Sequence, residues 1–119
     1  MLFADARFRD QQPGSVIAIL KPAYDRSPAD DAIAHRLATA YLLTEEYMDA
    51  IPVIDAYLSR NASSQEMLFA AVFAQYQVSS RDRVPLSTAD LDKLARYVRA
   101  YRGAEAPLLQ RYLESIRGN

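Results

Sequence analysis

Two stretches of this chain resemble each other at a separation of 34 residues, and this repetition restricts the fold more than any other feature. Ser27–Asp31 opens one apolar-periodic segment, and Asn61–Gln65 opens the next one at the same offset. The same offset aligns four further pairs of residues: Ile17 with Ile51, Ile19 with Val53, Leu20 with Ile54, and Arg26 with Arg60. A repeat of this length is typical of helix pairs that stack side by side into a solenoid.

The composition is that of one globular domain. Half of the 119 residues are apolar, which is enough for a continuous core and too many for a disordered chain. No apolar run approaches the roughly 18 residues that a membrane span needs, and residues 1–10 lack the apolar centre of a signal peptide. We therefore expect no membrane insertion. The absence of cysteine excludes disulfides and zinc–thiolate sites.

The net charge of -1 conceals a difference between two parts of the chain. Residues 1–80 contain six Lys/Arg and ten Asp/Glu, whereas residues 81–119 contain eight Lys/Arg and five Asp/Glu. Neither excess is large enough to indicate nucleic-acid binding. The opposite signs suggest that two copies could pack head to tail, so a homodimer is one arrangement that the sequence allows.

The hydrophobic periodicity predicts helices and no strands. Ile19 is assigned to the buried face of the second helix, and Pro22 is expected to kink or end it because proline lacks a backbone donor. Ser27 and Ser87 are predicted N-caps, and Gly103 is predicted to close the sixth helix in a left-handed conformation. The seven predicted helices cover 2–10, 15–24, a segment that begins at Pro28, 45–59, 64–78, 88–102 and 106–117.

Residues 31–64 carry a pattern with defined spacing. It consists of a large–small pair and an aromatic in one helix, a small and then a bulky residue in the next, and a preceding proline. These positions are Leu37, Ala38, Tyr41, Ala50, Ile54 and Pro28. In this pattern the segment resembles the tetratricopeptide repeat. Ala62 and Tyr57 depart from the family pattern, which usually has a proline and a smaller residue at those positions.

The resemblance implies an all-α fold, a right-handed solenoid of about seven helices arranged as helical hairpins and closed by a C-terminal capping pair. It implies a single domain over 1–119 with four parts. These are a partial first repeat (1–30), the best-matched repeat (31–64), a partial repeat (65–78) and a capping helical hairpin (87–118). Because the register places the start of the first repeat before Met1, we expect the C-terminal repeat region of a larger bacterial protein.

The resemblance also implies a concave groove that binds a peptide or helix of a partner protein. On this register the groove is lined by His35, Thr39, Leu42, Phe69, Phe73 and Tyr76. For His35 the alternative is a solvated or locally bonded side chain. The three aromatic residues, which form a helical stripe, could instead be core beneath the capping hairpin or part of a dimer interface.

The sequence offers little support for catalysis. Asp30–Asp31 and Glu45–Glu46 are adjacent acids at helix starts, where they stabilise the helix dipole rather than converge on a cleft. A single histidine, His35, without cysteine makes a metal site only if carboxylates join it, and Asp31 is the only near acid on its face. No phosphate loop or nucleophile motif occurs. We therefore expect no enzyme activity, no metal and no cofactor.

Five arginines in the C-terminal part could form a basic patch: Arg81, Arg83, Arg96, Arg99 and Arg102. Asp92 lies one turn before Arg96 and is expected to pair with it, which favours an ordinary solvated face. The expected function is a protein-interaction scaffold without catalysis, and the alternative is a homo-oligomerisation or spacer domain of a larger protein. The sequence leaves the location open: a cytoplasmic one is slightly favoured, and the periplasm is the alternative if the chain is the tail of an exported protein.

Overall fold

The computed structural model describes residues 13–82 and 86–118, and this part of the chain consists of six α-helices and contains no strand. The prediction of an all-helical chain is therefore confirmed for these residues, whereas the helix predicted over 2–10 lies outside them. The helices are α1 (Pro13–Arg26), α2 (Asp31–Leu43), α3 (Tyr47–Arg60), α4 (Gln65–Asp82), α5 (Thr88–Ala100) and α6 (Ala106–Arg117).

The turns that precede α2 and α4 share the same hydrogen bonds, 34 residues apart. The N–H of Asp30 donates to the carbonyl of Ser27 at 3.0 Å, and the N–H of Ser64 donates to the carbonyl of Asn61 at 3.2 Å. The Asp30 and Ser64 side chains each accept from the N–H three residues further on, at 3.3 and 3.4 Å. Asp30 rather than the predicted Ser27 is thus the N-cap of α2, because its carboxylate lies directly before the first helical turn.

The turn between α2 and α3 contains a residue in the left-handed region. Glu45 has a φ of 59°, a conformation that glycine adopts more readily than other residues. The N–H of Glu46 donates to the carbonyl of Tyr41 at 2.8 Å, and the N–H of Glu45 donates to the carbonyl of Leu42 at 3.2 Å. These two bonds satisfy carbonyls at the end of α2 and define a Schellman turn with glutamate where glycine is usual.

The chain divides into two compact units, Met1–Tyr57 and Leu58–Asn119. In the first unit α1 packs against α2. The large–small pair of Leu37 and Ala38 is fully buried on α2, at 0% exposure for both residues. Ile19, in contrast, is 72% exposed, so its assignment to the core was wrong. At about 100° per residue, Ile19 lies about 60° from buried Val16 and about 100° from half-buried Leu20 around the helix axis, at the edge of the packed face.

In the second unit α4 packs against both α5 and α6, and these two helices also pack against each other. Val72 of α4 belongs to one hydrophobic cluster with Leu94 and Val98 of α5 and with Leu109 and Leu113 of α6. The central helix α4 is buried on several sides, as its continuous apolar sequence indicates. Its buried apolar residues are Met67, Leu68, Ala70, Ala71, Val72, Ala74 and Val78.

The end of α5 differs from the prediction. The helix ends at Ala100, and Tyr101 is extended, with φ -72° and ψ 132°. Gly103 does not have a positive φ, so the expected left-handed closure is wrong. The glycine is needed for a different reason: a Cβ at this position would overlap the hydroxyl oxygen and Cζ of Tyr101 and lie 2.9 Å from its Cε2. Gly103 therefore makes room for the Tyr101 ring.

Two prolines lie inside helices without ending them. α1 continues beyond Pro22 to Arg26, although it was expected to kink or end near this proline. α3 likewise continues beyond Pro52 to Arg60. Each proline removes one backbone N–H from the helix, and the neighbouring hydrogen bonds are sufficient to continue it.

Candidate functional site

Five aromatic rings in the second unit form a continuous series of contacts, here called the aromatic ladder. It consists of Phe69, Phe73 and Tyr76 on α4, Tyr101 after α5, and Tyr112 on α6. The closest pair is Tyr76 with Tyr112, whose ring centroids are 4.3 Å apart at an interplanar angle of 25°. The other contacts have centroid distances of 6.1 to 6.3 Å, within the usual range for interacting rings.

The helix geometry explains why these rings meet. Phe69, Phe73 and Tyr76 are spaced four and three residues apart, which places them along one side of α4. Tyr101 reaches Phe69 from the end of α5, and Tyr112 reaches both Phe73 and Tyr76 from α6. All five residues are half-buried, so part of each ring remains accessible to solvent or to a partner. The ladder is thus both the outer layer of the core and a partly open apolar surface.

One end of the ladder is fixed by a polar contact. The Tyr101 hydroxyl donates a hydrogen bond of 2.5 Å to a carboxylate oxygen of Glu105. This bond raises the pKa of the Tyr101 hydroxyl and lowers the pKa of the Glu105 carboxyl, because it stabilises the protonated phenol and the ionised carboxylate together. With Gly103 beneath it, the ring is held between the backbone, the carboxylate and Phe69.

A glutamine side chain joins the start of α4 to the end of α5. The Oε1 atom of Gln65 accepts from the N–H of Arg102 at 2.5 Å, and its Nε2 atom donates to the carbonyl of Ala100 at 3.4 Å. The same Nε2 atom donates to the carbonyl of Ser63 at 3.0 Å. One amide group therefore binds backbone atoms on both sides of Tyr101, the Ala100 carbonyl and the Arg102 N–H, and positions the segment that carries this ring.

The other three predicted groove residues lie in the first unit. Thr39 and Leu42 are 2% and 4% exposed, so neither side chain lines an open surface. The Thr39 hydroxyl donates to the carbonyl of His35, one turn earlier on α2, at 2.8 Å. The His35 ring is half-buried and contacts Tyr57 edge to face, with the centroids 6.3 Å apart. Of these three residues, only His35 keeps partial access to solvent.

Within 13–82 and 86–118, no three His, Cys, Asp or Glu side chains come close enough to hold a metal ion. No buried side-chain nitrogen or oxygen in this part of the chain is left without a hydrogen-bond partner. None of the six helices combines the length and apolar character needed to cross a bilayer.

The sequence-based site omitted two members of the ladder. These are Tyr101 and Tyr112, which contact the α4 stripe from the end of α5 and from α6. The α4 spacing predicts that three aromatics share a side, but only tertiary packing determines which rings of α5 and α6 meet them. Gln65 carries no local signal of its role, because its partner Arg102 lies 37 residues away.

Comparisons of this chain with protein-family models, curated proteins and solved structures find no significant match. The resemblance to the tetratricopeptide repeat therefore stays a prediction from the residue pattern of 31–64.

Proposed function

We propose that this chain is a protein-interaction module built from tetratricopeptide-like helical hairpins, with α5 and α6 as a divergent capping pair. The single observation that carries the proposal is the recurrence of one turn, with the same backbone bond and the same side-chain cap, before α2 and before α4. A right-handed solenoid is the expected arrangement of such units. Repeat proteins of this kind present extended surfaces to other chains and commonly act by binding.

The surface proposed for binding is the exposed part of the aromatic ladder. Half-buried aromatic rings provide a large apolar contact area with few rotatable bonds, so little side-chain entropy is lost when a partner binds. The preferred ligand is an apolar stretch of a peptide or helix that packs onto Phe69, Phe73 and Tyr76. The Tyr101 hydroxyl and the Glu105 carboxylate form a polar rim at the Tyr101 end of the ladder. Their oxygens can accept a hydrogen bond from a donor group on the partner.

The proposal can be tested with short peptides selected from a random displayed library against the complete chain. The affinity of selected peptides is measured by calorimetry, and NMR chemical shifts identify the protein residues that they contact. We expect the largest shifts at Phe69, Phe73 and Tyr76. The Phe73→Leu variant keeps an apolar side chain but removes the ring, and it should weaken binding about tenfold.

A matched control is available in the first unit. Ile19 is a large exposed apolar side chain outside the ladder, so Ile19→Ala should leave peptide affinity unchanged. Far-ultraviolet circular dichroism of both variants must first show native helicity. Peptides whose shifts map away from the ladder, or an affinity that Phe73→Leu leaves intact in a folded protein, would contradict the proposed surface.

A further inference from the structure

The outer side of the C-terminal hairpin carries three exposed arginines, here called the arginine row. Arg96 and Arg99 are three residues apart on α5 and therefore share one side of the helix, and Arg102 follows two residues after the helix ends. The bond from the Arg102 N–H to Gln65 holds the backbone from which the third arginine projects. The row is thus carried by a helix and a tethered turn.

These arginines lack the counter-charge that the sequence leads one to expect. Asp92 lies one turn before Arg96, but the two form no ion pair, and none of the three arginines is paired with a carboxylate elsewhere in 13–82 or 86–118. The expected pairing of Asp92 with Arg96 is therefore wrong. An uncompensated row of like charges attracts an acidic partner and steers its approach.

The charge of the first unit is opposite in sign. Residues 13–57 contain three Lys/Arg and seven Asp/Glu, whereas residues 58–118 contain nine Lys/Arg and six Asp/Glu. The most concentrated exposed carboxylates are Glu45, Glu46 and Asp49, here called the acidic corner. The Schellman turn and a 2.8 Å hydrogen bond from the Thr44 hydroxyl to Glu46 hold this corner in place.

We infer that the arginine row is a docking site for a second copy of this chain, which presents the acidic corner of its first unit. The argument rests on charge complementarity between two surfaces that every copy carries. Each copy has both surfaces, so the contact is heterologous and can add further copies in the same way. The contact depends on screened charges and is therefore expected to be weak, rapidly formed and sensitive to salt.

The test measures the mass of the complete chain by sedimentation or light scattering over a range of protein concentrations. At about 0.01 M salt, where screening extends over roughly 30 Å, the average mass should rise with concentration; at about 1 M salt it should fall to that of one chain. A mass of one chain at every concentration in low salt would overturn the inference.

Charge reversal provides the decisive comparison. One variant reverses the row (Arg96→Glu, Arg99→Glu, Arg102→Glu), and a second reverses the corner (Glu45→Arg, Glu46→Arg, Asp49→Arg). Each variant alone carries two surfaces of the same sign and should remain a single chain. Mixed in equal amounts, the two variants restore complementary pairs and should associate again; a mixture that remains at the mass of one chain refutes the docking site.

A matched control distinguishes the effect of reversing the arginine row from a general effect of the change in net charge. Arg111 and Arg117 are exposed on α6, and reversing both to Glu should leave most of the self-association intact. Circular dichroism must show that every variant retains native helicity. If the native chain instead binds a single-stranded RNA oligonucleotide through the row and does not self-associate, the row is a nucleic-acid site and the inference is wrong.

Discussion

Replacing Gly103 by alanine is expected to destabilise the native chain but to stabilise a variant that lacks the Tyr101 ring. In the native protein an alanine Cβ would overlap the end of the Tyr101 side chain. The ring would have to move, and this movement disturbs its contact with Phe69 and the hydrogen bond that it donates to Glu105. In Tyr101→Leu the side chain ends before the position of the hydroxyl, so the overlap disappears.

The magnitude follows from the disturbed contacts and the displacement of the ring. The contact between the Phe69 and Tyr101 rings contributes about 0.5–1.5 kcal/mol, and displacement of the packed ring adds about 1 kcal/mol of strain. The bond to the fully exposed Glu105 carboxylate adds little, because solvent screens it. Alanine also restricts the unfolded chain and gains about 0.4–1 kcal/mol where the native φ suits it, as the φ of Gly103 does. We therefore expect Gly103→Ala to cost about 1 kcal/mol in the native chain and to stabilise Tyr101→Leu by about 0.5 kcal/mol.

The assay is thermal and urea unfolding of four proteins: the native chain, the two single variants and the double variant. A difference of 1 kcal/mol corresponds to roughly 4 °C in midpoint temperature for a chain of this size. The double-mutant cycle should give a coupling energy of about 1.5 kcal/mol between Gly103 and Tyr101. If Gly103→Ala changes stability in the same direction in both backgrounds, the close approach of the ring does not explain why glycine is required.

Two further predictions concern single contacts. Glu45→Gly should stabilise the chain by up to about 1 kcal/mol, because glycine adopts the left-handed conformation without a Cβ penalty. Urea unfolding measures the change in stability. An unchanged stability would mean that Glu45 is not strained in this conformation. Tyr101→Phe should raise the lowered pKa of Glu105 toward the ordinary value of a glutamate, as measured by NMR titration. Because the folded-state pKa of Glu105 is lowered, the stabilising effect of this bond is present above the unfolded pKa of about 4.3 and is lost as pH falls through the folded value. An equal Glu105 pKa in both proteins would exclude the hydrogen bond as the cause.

Local sequence signals were sufficient for most of the helices. The last helix has the predicted bounds, 106–117, because Pro107 favours its first turn and Gly118 follows its end. The sixth predicted helix extended two residues too far because Tyr101 and Arg102 suit a helix by composition. The structure instead places Tyr101 in an extended conformation, where its ring meets Phe69. Tertiary packing thus overrides local preference at this end.

The candidate site was less predictable than the helices. The stripe on α4 follows from spacing alone, but its exposed fraction depends on how α5 and α6 cover it. The prediction for Thr39 and Leu42 relied on the register of a family pattern, and their burial shows that the register does not fix solvent access. The role of Gly103 could not be predicted either. The sequence alone does not distinguish a glycine that makes room for a neighbouring side chain from a glycine that adopts a left-handed backbone conformation.

The contact of Gln65 with the end of α5 has a consequence for how the second unit opens. Its amide binds groups 35 and 37 residues further along the chain, so the first turn of α4 and the last turn of α5 share hydrogen bonds. If either helix end frays, the other loses these hydrogen bonds. The opening of the two ends is therefore coupled, whereas without Gln65 each end would open independently. The hydrogen-exchange rate of the Arg102 N–H should therefore match the rate at which the first turn of α4 opens, and it should be slower than that of an isolated loop.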